Sequence, residues 1–189
     1  MLRPASLLPL LLFAAACSRP HWEEIDATRW TPEQESQVEE ARQAAMAVGV
    51  SLLTAVREAI AEQGLVEAVA FCNLQAVSMT AAAQLDNGPK VGRTSFRLRS
   101  RDNHPPAWAA LAVKAAEDRV HLFAGPEGQH GVLLPIPTGP LCLNCHGNRE
   151  TFAPELVEEL LELYPHDEAT GFALDQLRGY FWVELGGDA

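Results

Sequence analysis

Two cysteines separated by two residues, with a histidine directly after them, form the segment Cys142-Leu143-Asn144-Cys145-His146. This spacing is the attachment motif of c-type haem. Its two thiols can add to the two vinyl groups of one haem, and the adjacent histidine can then bind the iron from the proximal side. Gly147 allows the backbone to pass close to the porphyrin edge. The motif therefore predicts one covalently attached haem c, with His146 as an iron ligand.

Two other interpretations of the cysteine pair stay open at this point. A Cys142–Cys145 disulfide is possible, although it leaves His146 without a role. A thioredoxin-like redox pair is disfavoured because such motifs lie near a βαβ pattern, which is not evident here. A zinc site could use Cys72 together with the three motif residues, but zinc signatures usually supply a second spaced pair.

The N-terminus resembles a targeting segment. Leu7 to Ala16 is an apolar run too short to span a bilayer, and it follows the single charge of Arg3. Small residues then precede Cys17, as in bacterial lipoprotein signals, although Ala14 stands where such signals usually carry leucine. We expect residues 1–16 to be removed and Cys17 to be acylated. Ordinary signal-peptide cleavage after Ala16 is the alternative.

These features predict an exported, periplasmic protein that contacts a bacterial membrane only through a lipid anchor. Residues 18–30 are interpreted as a tether and residues 31–189 as one domain, a length that suits a single compact unit. The formal net charge is −11. Such acidity argues against nucleic-acid binding, which relies on Lys and Arg to neutralise phosphates. The acidity is better explained by solubility than by the steering of a basic partner.

Local patterns predict helices followed by a small antiparallel sheet, an α+β domain. Thr31 begins a helix with a capping box and Pro32 at its first position, and Gly64 ends it. Its inner face would use Val38, Ala41, Ala45, Val48, Leu52 and Val56. The other predicted helices span Leu65–Leu85, Pro105–Arg119 and Thr151–Leu163, and the strands span Val91–Arg99, Val120–Ala124, His130–Ile136 and Tyr180–Leu185.

The second helix carries Cys72 in the middle of an apolar stripe. In an exported protein a thiol tends to become oxidised unless other chemistry uses it. The iron of a haem has a further position to fill, and the sequence offers several candidates for it. These are Cys72, Met46, Met79, His104, His121, His130 and His166. Spacing alone does not rank Cys72 above Met79.

Several stretches together resemble a known family. They are Ala70-Phe71-Cys72-Asn73, Val91-Gly92-Arg93-Thr94-Ser95-Phe96-Arg97-Leu98-Arg99, Asn103 with Pro105, Pro135-Ile136, the haem motif with Gly147, Tyr164-Pro165-His166-Asp167-Glu168-Ala169-Thr170-Gly171-Phe172, and Arg178-Gly179. They resemble the PAS-like c-type haem proteins, a domain of unknown function found in a cyanobacterial thylakoid-associated haem protein and in extracytoplasmic sensor regions of histidine kinases and chemoreceptors.

The resemblance implies a PAS-like α+β fold with a small antiparallel sheet and long N-terminal helices. It also implies iron held by His146 on one side and by Cys72 on the other. The cysteines would then divide into a lipid anchor at Cys17, two thioethers and one iron ligand. The chain departs from the family pattern at Ser100-Arg101 and before Arg178, which puts loop conformations in doubt but leaves the ligands in place.

Arginines recur in the predicted strand at Arg93, Arg97 and Arg99, and alternation would direct them to one face. Arginine pairs well with carboxylates, so the haem propionates are the expected partners. Arg97 and Arg93 rank ahead of Arg99.

A His/Cys-ligated haem c predicts redox or small-gas sensing, with a periplasmic electron-transfer cytochrome as the alternative. Either role requires a separate redox or signalling partner protein, which the sequence does not identify. A role as an enzyme is less favoured, because neither an open iron position nor an acid–base group for turnover is evident.

Overall fold

The computed structural model describes residues 21–82 and 88–186, with residues 74–82 described through their backbone only. The predicted leader (1–16) and Cys17 lie outside this range. The helices and strands, in chain order, are β1 (Glu23–Ile25), α1 (Pro32–Gln63), α2 (Leu65–Ala82), β2 (Lys90–Thr94), α3 (Ala110–Ala115), β3 (His121–Ala124), β4 (His130–Pro137), α4 (Leu143–His146), α5 (Pro154–Leu163) and β5 (Leu177–Leu185).

The strands form one antiparallel sheet in the order β1-β3-β4-β5-β2. Strands β4 and β5 pair along most of their length at its centre, with an irregularity at Ile136/Pro137. Strand β2 pairs with residues 180–184 of β5, so that Thr94 lies opposite Tyr180. The small sheet beside a long N-terminal helix confirms the predicted α+β fold.

Helix α1 begins and ends where the sequence predicts. The Thr31 hydroxyl accepts from the backbone N–H of Gln34, and the Gln34 side chain accepts from the N–H of Thr31, which completes the capping box. Gly64 ends the helix with a φ of 98°, a conformation that favours glycine. Of the predicted inner face, all but Val56 are buried, and Ala59 is buried as well.

The buried face of α1 packs on one side of the sheet against Val91, Leu122, Val132 and Val183. By length and composition alone, α1 could also cross a membrane; core helices and signal sequences often pass the same test. The other side of the sheet packs against α3 and a group of aromatic rings, with Trp22 stacked on Trp108. A glycine makes room for an indole in this layer, since a Cβ at Gly92 would overlap Trp182, its cross-strand partner.

Three local predictions differ from the structure. Part of the proposed tether is folded, because Glu23–Ile25 pairs with β3 and extends the sheet. The strand predicted to reach Arg99 ends at Thr94, where the Ser95 hydroxyl donates to the carbonyl of Arg178 and accepts from the N–H of Arg97, which turns the chain. The helix predicted over Pro105–Arg119 is limited to Ala110–Ala115 and ends at Ala116 in a left-handed conformation.

Candidate haem-binding site

The cysteine motif forms a single helical turn, α4. The backbone N–H of His146 donates to the carbonyl of Cys142 at 2.9 Å, and the N–H of Gly147 donates to that of Leu143 at 3.0 Å. Residues three apart on a helix lie on the same side. The turn therefore presents Cys142 and Cys145 together, as attachment to two vinyl groups of one porphyrin requires. A Cβ at position 147 would lie 2.6 Å from the carbonyl oxygen of Leu143, so this turn needs glycine there.

The turn is held in place by the segment that precedes β5. Phe172 N–H donates to the carbonyl of His146 at 3.0 Å, and Gly171 N–H donates to that of Gly147 at 2.6 Å. In addition, the carbonyl of Ala169 lies 2.7 Å from Nδ1 of His146. Because a carbonyl can only accept, Nδ1 carries the proton and donates it, which leaves a lone pair on Nε2.

The surroundings of His146 keep its imidazole neutral. Burial lowers its pKa well below the usual value, and the positive charges of Arg178 and Arg99 lower it further. The Nη2 of Arg178 lies 3.3 Å from Nε2 and donates to its lone pair. A neutral imidazole whose Nδ1 is fixed by a carbonyl is the form in which histidine binds metals. Iron would use the same lone pair, so Arg178 and the metal compete for Nε2.

An ion-pair cluster centred on Asp167 contacts the backbone on both sides of this histidine site, at Cys145 and Ala169. One carboxylate oxygen accepts from Arg99 at 3.1 Å and from Arg149 at 3.2 Å, and the other accepts from the N–H of Ala169 at 2.8 Å. Arg99 also donates to the carbonyls of Cys145 and Ala169. The side chain of Asp167 is 1% exposed and that of Arg99 is 12% exposed. Asp167 therefore fixes both the backbone that holds His146 and the backbone of Cys145.

Cys72 lies on α2 beside this assembly. Helices α2 and α5 pack through Val69, Leu156, Leu160 and Tyr164, and Cys145 packs against the same cluster. Burial raises the pKa of the Cys72 thiol, while the nearby charges of Arg93 and Arg99 lower it. Burial raises the pKa of Cys145 to about 11, and Cys72 adds to that shift. Cys72 and the two motif cysteines are all free thiols.

All three predicted arginines bring unsatisfied donors to the site, including the Nε of Arg99. Arg93 lies close enough to Cys72 and His146 for its charge to act on both. The guanidinium of Arg97 lies 3.7 Å from the centre of the Phe172 ring. The Nε of Arg93 and the Nε and Nη2 of Arg97 are buried and have no hydrogen-bond partner. Buried guanidinium donors normally have acceptors. Carboxylates such as the haem propionates would supply them, so these residues fit haem.

Arg99 has a different role from the one that strand alternation suggests. With β2 ending at Thr94, alternation cannot orient Arg97 and Arg99, and their convergence on the site arises from the turn at Ser95. Arg99 is already bonded to Asp167 and to two backbone carbonyls.

Of the remaining candidates for the second iron position, His166 lines a cleft with Arg99 and Tyr164. His121 is buried, and its Nδ1 lies 2.7 Å from the carboxylate of Glu24 in β1. His104 and His166 are exposed, and Met46 is 56% exposed on the outer side of α1. The side chain of Met79 is outside the described residues. Within the described ranges, no group of three or more His, Cys, Asp or Glu side chains is arranged to hold a metal ion, so the zinc interpretation gains no support.

Sequence reasoning missed the roles of Arg178, Asp167 and Ala169. Arg178 and the segment 164–172 stood among the stretches that carry the family resemblance, which was the available signal. Their contacts with His146 and Arg99 cross 23 to 70 positions of the chain and have no local pattern. A cleft of about 250 Å³ also opens near the site, lined by Asn73, Arg99, Tyr164 and His166 among others.

Comparison with known proteins agrees with this architecture. A family model described as Tll0287-like matches residues 32–185. The structure is similar to the crystal structure of the cyanobacterial haem protein Tll0287, with a TM-score of 0.52 and 23% identity over 85% of this chain and 100% of that one. At that identity the likeness shows a common fold. No curated protein sequence matches the chain significantly. The family match covers most of the chain, and the protein belongs to the Tll0287-like family.

Proposed function

We propose that the protein binds one haem c covalently through Cys142 and Cys145, with His146 as the proximal iron ligand. The observation that carries this proposal is the hydrogen bond from Nδ1 of His146 to the carbonyl of Ala169, at 2.7 Å. It fixes the tautomer and the plane of the ring and leaves Nε2 as the metal-binding atom. The solved relative is a haem protein, which supports the same cofactor.

Cys72 is proposed as the second iron ligand, opposite His146. Its place on α2 beside Cys145 supports this assignment, and although burial raises the pKa of the thiol, the charges of Arg93 and Arg99 act against that rise. Cationic neighbours favour the thiolate, which is the form that binds metals. Arg93 and Arg97 would hold the propionates through their unsatisfied nitrogens. Bound haem would supply a one-electron redox centre, and a thiolate ligand favours a low potential.

The proposed role is redox or small-gas sensing. Two features of this chain support it over simple electron transfer. A cleft lined by Tyr164 and by Asn73, the residue after Cys72, is large enough for a diatomic molecule. In addition, α2 joins the long helix α1 through Gly64 alone, so that a displacement of Cys72 acts directly on a helix that covers the sheet. A two-state element of this kind is what a sensor requires.

Haem attachment is tested by producing the protein with cytochrome c maturation machinery and recording the pyridine haemochrome spectrum. One covalent haem per chain is expected, with His146→Ala and Cys145→Ala both impairing its attachment. Cys72→Ala should keep the covalent haem and lose thiolate-type features of the ferric spectrum. A protein that folds without haem would contradict the proposal, and an unchanged ferric spectrum in Cys72→Ala would exclude Cys72 alone.

Sensing and electron transfer are separated by carbon monoxide. A ferrous form that binds carbon monoxide readily favours sensing. A ferrous form that stays six-coordinate and exchanges electrons rapidly with small redox proteins favours the electron-transfer alternative. His121→Ala is a suitable control, because His121 is a buried histidine that contacts Glu24 and not the site.

We further propose that the chain is exported and anchored by an acyl group on Cys17. The apolar run before Ala14-Ala15-Ala16-Cys17 supports this. Metabolic labelling with a radioactive fatty acid should mark the protein and fail to mark Cys17→Ser. Unlabelled protein recovered from the soluble periplasm would instead indicate ordinary cleavage after Ala16.

A further inference from the structure

The outward side of α1 is unusually apolar for a surface helix. Met46 is 56% exposed, Val50 is 59% exposed and Leu53 is 43% exposed; in the described part of the chain, they are half of the six large hydrophobic residues left exposed. From Ala44 to Val56 no residue is charged, although the chain as a whole is strongly acidic. The opposite side of the same helix is already buried on the sheet. A contiguous exposed apolar stripe of this kind indicates an interaction surface.

The spacing of the stripe is that of a two-helix seam. Its positions alternate between steps of four and three residues, as in a heptad repeat. They are Glu39, Gln43, Met46, Val50, Leu53, Arg57 and Ile60, which we call the outer stripe. All but the half-buried Ile60 are exposed. One end of the outer stripe is acidic and the other is basic, with the apolar residues between them.

We propose that the outer stripe is the interface of a homodimer, in which α1 of a second copy packs antiparallel against it. In the register that matches heptad positions, Met46 packs against the partner's Val50, and Glu39 lies against the partner's Arg57. Two-fold symmetry repeats both contacts, so the interface is self-complementary. The apolar centre is buried and each end carries an opposite-charge pair.

The charges select this arrangement over two others. A parallel pair would place Glu39 against the partner's Glu39 and Arg57 against the partner's Arg57, and like charges in facing positions are destabilising. A bilayer surface is a poorer occupant, because helices that lie on membranes carry Lys and Arg beside their apolar face. Here Glu35, Glu39 and Glu40 are exposed at the N-terminal end of the outer stripe, with Arg42 paired to Glu39.

The test is sedimentation of the purified protein over a range of concentrations, with Cys17→Ser present so that no acyl chain contributes to association. A concentration-dependent dimer is expected. Val50→Glu should raise its dissociation constant by about tenfold or more, because each copy would bury an unpaired carboxylate. The matched control is Leu111→Glu, at a residue that is 83% exposed on α3. That variant should dimerise like the unmodified protein.

Orientation is tested by charge reversal. Glu39→Arg and Arg57→Glu should each weaken the dimer, and the two together should restore it. A parallel pair would show no such rescue. A protein that is monomeric at all concentrations, or a dimer that Val50→Glu leaves unchanged, overturns the proposal. So does a monomer that binds anionic phospholipid vesicles through the outer stripe, as judged by loss of binding in Val50→Glu. Circular dichroism checks folding, which we expect to be unchanged because the side chains at positions 39, 50, 57 and 111 are exposed.

Discussion

Replacing Asp167 by asparagine removes the charge at the centre of the cluster behind His146 and changes little else in shape. An asparagine can keep its oxygen towards the N–H of Ala169, now 2.8 Å from Asp167 Oδ1. Its amide group then faces Arg99 and Arg149, whose nitrogens lie 3.1 and 3.2 Å from the present carboxylate. Donor would meet donor, and both guanidinium groups would lose their carboxylate.

The loss in the free energy of unfolding depends on how well water can replace the Asp167 carboxylate as the partner of each arginine. The side chain of Arg149 is 34% exposed and can be hydrated, so its share is small. That of Arg99 is 12% exposed and would remain as a buried charge. Breaking a buried ion pair costs about 3–5 kcal/mol, and the low end applies because Arg99 keeps its carbonyl acceptors. We expect Asp167→Asn to lower the free energy of unfolding by about 3 kcal/mol, which corresponds to about 6–12 °C in Tm for a chain of this size.

Urea denaturation and thermal melting, followed by circular dichroism, measure this loss. The matched control is Glu168→Gln, which removes an exposed carboxylate from the next position. It should change stability by no more than about 0.5 kcal/mol. If Asp167→Asn also falls within that range, then the cluster does not hold the histidine segment and the reasoning is wrong.

Three further predictions concern backbone approach and ionisation. Gly147→Ala places a Cβ 2.6 Å from the carbonyl oxygen of Leu143, so it should distort the motif turn and reduce covalent haem yield, measured against total protein. Gly92→Ala overlaps a cross-strand indole and should destabilise the sheet by about 1–3 kcal/mol in urea titrations, whereas Gly186→Ala, with open space around it, should not. Burial raises the pKa values of Tyr164 and Tyr180, the two tyrosines of the chain, to about 12. Because the unfolded chain loses these protons near pH 10, stability should be complete below pH 10 and should fall between about pH 10 and 12; an ultraviolet titration showing normal ionisation in the folded protein would contradict this.

Local chemistry accounts for the features that the sequence predicts well. The capping box at Thr31 and the stop at Gly64 depend on contacts within a few residues, and both occur as predicted. The motif residues also lie within one turn, so their spacing alone points to the candidate site. The strand predicted through Arg99 fails because its end depends on Ser95 bonding to Arg178, which lies far along the chain.

The difference between local and long-range contacts also explains how much of the site the sequence predicts. Regular alternation along the predicted strand points to Arg93 and Arg97, but only Arg93 lies within β2, and Arg97 reaches the site through the turn at Ser95. Arg178 and Asp167 act on residues that are distant in sequence, and nothing in their immediate neighbours indicates this. The positions of His146 Nε2 and of the Asp167 carboxylate depend on contacts between distant parts of the chain, which no local sequence pattern indicates.

The short strand β1 determines how far the domain can be shortened from its N-terminal side. It covers the free edge of β3, whose residues His121–Ala124 include the buried Leu122 and Phe123. An uncovered strand edge is a template for pairing with other chains, and β1 blunts it with two glutamates in three residues. A protein begun at residue 31, the boundary that the sequence suggested, would leave that edge open and prone to aggregation. Production for study should therefore start before Trp22, so that both the stacked indole and the strand stay in place.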